Sequence, residues 1–310
     1  MCCLNQNYRS YLCRDKRILF MIIIEISGGL GNQMFQYALG QKFISMGKEV
    51  KYDLSFYNDR VQTLRQFELD IFDLDCPVAS NSELSRFGKG NSLKSRLKQK
   101  LGWDKEKIYE ENLDLGYQPR IFELDDIYLS GYWQSELYFK DIREQILSIY
   151  RLPEEMNEKS RKFLLRIKED NSVSIHVRRG DYLNKENYRV YGGICTNCYY
   201  KKAIEYMRKS IDNPKFYIFT NDSEWAKMQF KENDMEVVEC NNRNNSYLDM
   251  FLMSSCKANI IANSTFSWWG AWLNSGQEKL VIAPKKWFNN HEINDIVCES
   301  WIKIDSQGEI

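Results

Sequence analysis

The chain has 310 residues, and its 43 lysines and arginines balance 43 aspartates and glutamates, so bulk charge draws it neither to nucleic acid nor to an anionic membrane. Its longest uninterrupted apolar run, "ILFMIII" at 18–24, falls well short of the roughly 20 residues that span a bilayer. Nine irregularly spaced cysteines do not form a disulfide framework, which leaves the expectation of a soluble, cytoplasmic protein whose positive sites are local.

Residues 1–20, "MCCLNQNYRSYLCRDKRILF", lack the long apolar segment and small-residue cleavage site of a signal peptide. A strand beginning at Met21 needs nothing before it, so these residues are expected to be an upstream start or a disordered tail. A strand over 21–26 leads into the glycine loop "GGLGNQMFQYALG" (28–40), a helix from about 32 to 46 and a strand over 49–53. Gly28, Gly29 and Gly31 permit positive φ and close approach of backbone to a ligand, while Asn32 and Gln33 offer amide donors where the helix starts. The loop is neither a Walker A sequence nor a dinucleotide G-x-G-x-x-G.

Beyond residue 53 the pattern loosens. "DLD" at 73–75 has the D-x-D form of a metal-binding pair, but carboxylates without a phosphate beside them do not make a magnesium site. The basic stretch 89–100 reads as a solvated helix or loop, and Tyr132, Trp133 and Tyr138 in "SGYWQSELYF" look exposed and able to stack on sugar faces. The polar, proline-bearing "RLPEEMNEKSRK" at 151–162 marks the junction between an N-terminal domain, 21–155, and a C-terminal domain, 156–310.

From 173 onward, apolar runs at 173–177, 216–219, 235–238, 258–262 and 279–283 alternate with helical stretches at 198–210, 223–231 and 247–256. That rhythm predicts parallel strands joined by crossover helices, a Rossmann-like unit. Asp222 or Ser223 caps one helix and Pro284 stops the last strand. The single C-x-x-C, Cys195 to Cys198, has no second pair and no neighbouring histidine, so it is not read as a metal site.

Ligands of open parallel sheets bind beyond the carboxyl ends of the strands, and the polar motifs fall there. His176, Arg178, Arg179 and Asp181 follow one strand, Thr220, Asn221 and Asp222 another, and Asn263, Ser264 and Thr265 a third. Arginine presents a planar fork of donors to phosphate oxygens, and Ser and Thr at a helix start add hydroxyls and free N–H groups. Together they describe a diphosphate cradle. A carboxylate such as Asp222 can accept paired donors from a guanine edge, with His176 adding a hydrogen bond. Taken singly, each motif also has a plain reading: a surface salt bridge for the Arg-Arg-Asp group, a capped helix burying Trp268 and Trp272 for "STFSWW". Their shared placement at strand ends favours one binding site.

In order and spacing, "GGLGNQMFQYALG", "HVRRGDY", "FTNDSEWAK" and "NSTFSWWGAWL", with the ending "APKKWFNN…CESWIKI", resemble the bacterial and animal α-1,2-fucosyltransferase family, from about Met21 to Ile304. The resemblance implies an α/β fold of GT-B type, two Rossmann-like domains facing across a cleft. It implies transfer of L-fucose, with inversion, from GDP-β-L-fucose to the 2-hydroxyl of a terminal galactose in an oligosaccharide or glycolipid. Carried over by position, Arg178 meets the diphosphate, His176 and Asp222 the guanosine, and Ser264, Thr265 and Phe266 the phosphates and base. Asn32 approaches the diphosphate from the opposite domain. No metal or other cofactor is expected, because Arg178 and helix-end N–H groups can neutralise the leaving diphosphate. Asp181 stands as either the general base or a salt bridge orienting an arginine. Another GDP-sugar, another linkage, or a non-catalytic glycan-binding relative are the competing readings, and membrane association is expected to be at most peripheral, at the inner membrane.

Overall fold

In a computed structural model of the protein, the structure describes residues 20–58, 65–89, 107–151, 156–241, 245–293 and 295–310. Expectations for residues 1–19, for nearly all of the basic stretch 89–100 and for 152–155 of the junction lie outside the described residues.

Runs such as Met21–Ile24 cannot face water on either side, and a parallel strand covered by helices on both faces buries them. The described strands accordingly form two parallel sheets. The first contains β1 (Met21–Glu25), β2 (Glu49–Asp53), β3 (Ile108–Glu110) and β4 (Ile127–Ser130), in the order β2-β1-β4-β3. The second contains β5 (Ser172–Val177), β6 (Lys215–Thr220), β7 (Met235–Val237), β8 (Ala258–Ile260), β9 (Leu280–Pro284) and β10 (Ile302–Ile304). Its order, β10-β9-β8-β5-β6-β7, is that of a doubly wound nucleotide-binding sheet. All pairings in both sheets are parallel.

Two helices hold the halves together. The glycine-loop helix, Leu30–Ser45, begins two residues earlier than the sequence pattern predicts, because Gly29 serves as its extended N-cap and its carbonyl accepts from Asn32 and Gln33. The tryptophan helix, Thr265–Trp272, buries Trp268, Trp269 and Trp272. Phe35 from the first half stands 4.4 Å from Trp268 and 4.9 Å from Trp269, measured between ring centres, and Phe139 stacks on Trp269 at 5.5 Å. One buried apolar cluster therefore runs through both halves.

Gly31 makes this contact possible. A Cβ there would fall 2.6 Å from Thr265 Oγ1 and 2.7 Å from the Thr265 carbonyl carbon, distances no packed structure tolerates. Trp269 Nε1 also donates to the Gly31 carbonyl at 2.9 Å. The starts of the two helices consequently meet. Among the described residues, no helix is long and apolar enough to cross a membrane.

Candidate active site

The second sheet grows from β5 first toward β7 and then, from β8, toward β10, so connections leave β5 and β8 in opposite directions. A crevice opens at such a switch point, beyond the carboxyl ends of the strands. The first sheet has its own between β1 and β4. Both open on a single cavity of about 600 Å³, a volume suited to a nucleotide-sized ligand.

On the wall of the second half, Arg178 follows β5 and donates from Nη2 to Asp181 Oδ2 at 2.8 Å, with its guanidinium 5.6 Å from the Tyr182 ring centre. Arg65, from the first half, reaches the same oxygen at 3.5 Å. The Asp181 carboxylate thus makes the ion pair that the sequence allowed, and it does so across the cleft. His176 is buried, and burial, followed by the Arg178 charge, pushes its imidazole down to about 3. It is neutral at physiological pH. Its ring lies 5.8 Å from that of Phe266.

The tryptophan helix starts at Ser264, whose side chain makes no capping bond. The N–H groups of its first turn therefore remain available to an anion, with the helix dipole behind them. Ser264, Thr265 and Phe266 all border the cavity. Asn263 borders it too, but its side chain is committed to the scaffold: Nδ2 donates to the Tyr191 and Trp287 carbonyls at 3.2 and 3.1 Å. It pins two loops around the site.

Asp222 takes the helix-capping role expected of it and not the cavity-facing one. Its Oδ1 caps its own helix by accepting from Trp225 N–H at 3.2 Å, and its Oδ2 accepts from Arg179 Nε at 3.1 Å. N-cap geometry turns the carboxylate back along the helix, and the residue does not border the cavity. Arg179 lies 4.1 Å from the Trp225 ring centre and supports this loop. The carboxylate that does stand on the wall is Asp249, in the first turn of the helix Tyr247–Ser254. Burial pushes it up to about 6, and it accepts from Asn241 Nδ2 at 2.6 Å.

The first half contributes Gly29 and Asn32 after β1, and Tyr132 and Gln134 after β4. Gln134 Nε2 donates to Asn32 Oδ1 at 3.0 Å. Glu111 fixes this wall by accepting from Tyr132 N–H at 2.6 Å and Trp133 N–H at 3.0 Å, while Trp133 adopts a φ of 55°. The twist sends neighbouring side chains in opposite directions. Trp133 and Tyr138 are buried in the core, contrary to the exposed aromatic face expected from sequence, and Tyr132 alone of the three lines the cavity.

Among the described residues, His176 Nδ1, Asp181 Oδ1 and Gln134 Oε1 are buried without a hydrogen-bond partner, and all three side chains border this cavity. Unpaired buried polar atoms are costly, and their gathering at one place marks a surface shaped for a polar ligand. Asp73 and Asp75 do not border it, and no cluster of three or more metal-ligating side chains occurs among the described residues. Sequence reasoning also missed Arg65, Asp249 and His291 on the wall. Asp249 left a signal as the single acid in the apolar run "YLDMFLM", and His291 as one of only two histidines.

A diphosphate-sugar donor needs one half to hold its charge while the other presents an acceptor across the cleft, and two facing Rossmann-like sheets with a common cavity are the architecture of GT-B-type glycosyltransferases. Residues 106–305 match the model of glycosyl transferase family 11, and the chain belongs to that family. It is 34% identical over 297 residues to an alpha-1,2-colitosyltransferase of Escherichia coli, covering 92% of this chain and 99% of the relative. Similarity to galactoside alpha-(1,2)-fucosyltransferase 1 of Leontopithecus chrysomelas is 29% over 157 residues, 48% of this chain and 43% of the relative. Among solved structures, a mutant of Arabidopsis thaliana FUT1 in complex with GDP aligns with 84% of this chain and 70% of its own, at 13% identity and a TM-score of 0.41.

Proposed function

We propose that the protein transfers L-fucose from GDP-β-L-fucose to the 2-hydroxyl of a terminal galactose in a glycan, with inversion. The observation that carries this reading is the meeting of Arg178 with the uncapped start of the tryptophan helix on one wall, opposite Gly29 and Asn32. In a single displacement, the acceptor oxygen attacks the anomeric carbon from the face opposite the diphosphate, and GDP departs with the bonding pair. Negative charge grows on the diphosphate as it leaves. Arg178 and the first-turn N–H groups supply fixed positive ends where that charge develops, which is the task a divalent metal performs elsewhere.

Guanine presents two adjacent N–H donors, and Asp249 is the wall carboxylate suited to accept them, in the role expected of Asp222. His176, held neutral, can exchange a hydrogen bond without adding charge. The chain's similarity to a colitosyltransferase favours one second reading, in which the GDP-linked sugar is colitose, a fucose lacking its 3-hydroxyl. The test is to incubate the protein with GDP-fucose or GDP-colitose and a panel of β-galactosides, then determine product mass and linkage. An α-1,2-fucosylated galactose is expected. Preferential use of GDP-colitose supports the second reading, and GDP binding without transfer to any galactoside would reduce the protein to a binding module.

A further inference from the structure

The proposed transfer requires the acceptor hydroxyl to lose a proton, and the cavity wall offers few groups able to take it. His176 is buried beside Arg178 and held neutral, with its imidazole pushed down to about 3, which makes it a weak acceptor. A proton arriving on Asp181 would cancel its ion pairs with Arg178 and Arg65 while Arg178 is holding the departing diphosphate. Burial pushes Tyr182 and Tyr191 upward, so neither supplies a phenolate.

Glu68 and Asp249 also border the cavity, but Glu68 Oε2 accepts from the Leu30 N–H at 3.2 Å and Asp249 Oδ1 from Asn241 Nδ2 at 2.6 Å; His291 differs from all of these. It borders the same cavity, and its Nδ1 lies 2.7 Å from Asp114 Oδ1. With 28% of its side chain exposed, the ring has access to solvent as well as to the cavity. A carboxylate accepting from Nδ1–H selects the tautomer whose Nε2 carries a free lone pair, and it stabilises the imidazolium that forms on protonation. Among the described residues, Nε2 has no protein partner. Histidine is the side chain most often used as a general base.

We propose that His291, oriented by Asp114, is the general base of the transfer. As the acceptor oxygen bonds to the anomeric carbon, its proton passes to His291 Nε2. The bond from the anomeric carbon to the diphosphate oxygen breaks, and its electron pair leaves with GDP. The imidazolium stays paired with Asp114 until it returns the proton to solvent along its exposed edge. Asp114 belongs to the first half and His291 to the second, so the base is assembled only when the halves stand at this separation.

The assignment rests on the transferase reading and is separable from it by a substitution. His291→Asn retains an amide N–H that can donate to Asp114, preserving the bridge between the halves while removing the base. If His291 is the base, kcat for GDP-fucose and a galactoside falls about 100- to 10,000-fold, while the GDP dissociation constant, the acceptor KM and the melting temperature hold within about threefold or a degree or two. Asp114→Asn, a positioning change, lowers kcat by a smaller factor and spares KM. Wild-type turnover matched by His291→Asn, or a loss confined to KM, overturns the base and leaves the transferase standing. A wild-type chain that binds GDP but transfers to no galactoside overturns both.

Discussion

Replacing Gly31 by alanine places a methyl group where Thr265 already stands. The new carbon would lie 2.7 Å from the Thr265 carbonyl carbon and 2.6 Å from its Oγ1, against about 3.5–4.0 Å for an ordinary carbon contact. The hydroxyl can rotate away, but the backbone carbon cannot. The two helix starts must therefore part by about 1 Å, stretching the bond from Trp269 Nε1 to the Gly31 carbonyl. Overpacking of this kind costs about 1–3 kcal/mol, or roughly 2–4 °C in melting temperature per kcal/mol for units of this size. The larger effect falls on catalysis, because these helix starts border the cavity from both walls, and a misplacement of about 1 Å can cost 100-fold. Gly40→Ala is the matched control. In the same helix but away from the cavity, its new carbon would lie 2.1 Å from Tyr52 Oη, so it should destabilise at least as much while leaving turnover per folded molecule intact. Thermal melting, GDP calorimetry and turnover normalised to folded protein separate the two effects. Equal turnover in Gly31→Ala and wild type, or equal losses at Gly31 and Gly40, would refute the reasoning.

Arg178→Lys keeps the charge but loses the planar fork; kcat should fall roughly 100- to 1,000-fold with a smaller loss of GDP affinity, and Arg179→Lys should be milder because Arg179 braces Asp222 and Trp225. Comparable losses at both arginines in steady-state assays would contradict this. Asp249 is raised from 3.8 to about 6 by burial, so the folded state binds the extra proton and loses stability as pH rises between those values. Asp249→Asn, still able to accept from Asn241, should melt higher than wild type at pH 8, with the gain shrinking toward pH 4, while GDP binds about 10- to 100-fold more weakly. Unchanged GDP affinity would remove Asp249 from base recognition. Excess EDTA should leave turnover within about twofold, since Arg178 and the helix starts neutralise the leaving group; a large loss restored by magnesium or manganese would count against a metal-free step.

Strand ends were readable because each is a local event: an apolar run stops, and the polar residues that follow lie beyond a sheet edge. His176, Arg178, Ser264 and Thr265 were found in that way, Phe266 came with the family resemblance, and all reach the cavity. Asp222 misled because the same side chain that suits a guanine edge also suits an N-cap, and the nearer partners, Trp225 N–H and Arg179, hold it. Trp133 misled because its left-handed turn reverses side-chain directions, a backbone feature imposed by Glu111 from 22 residues away, and Tyr138 because its hydroxyl accepts from the Gln118 N–H in the core. Arg65, Asp249 and His291 reach the cavity through tertiary packing, which no local periodicity encodes.

The aromatic seam of Phe35, Phe139 and the three tryptophans has a consequence for how such enzymes can be recombined. Where two domains meet through a thin polar contact, either can be exchanged for a relative's and the hybrid still folds. Here a fragment ending before the tryptophan helix would leave Phe35 and Phe139 open to water, and a fragment containing only the second half would expose the tryptophans they cover. Chimaeras joined near residue 150 should therefore succeed only between parents whose seam residues match. New donor or acceptor preferences are more readily gained by altering the loops around the cavity, which can change without disturbing the seam.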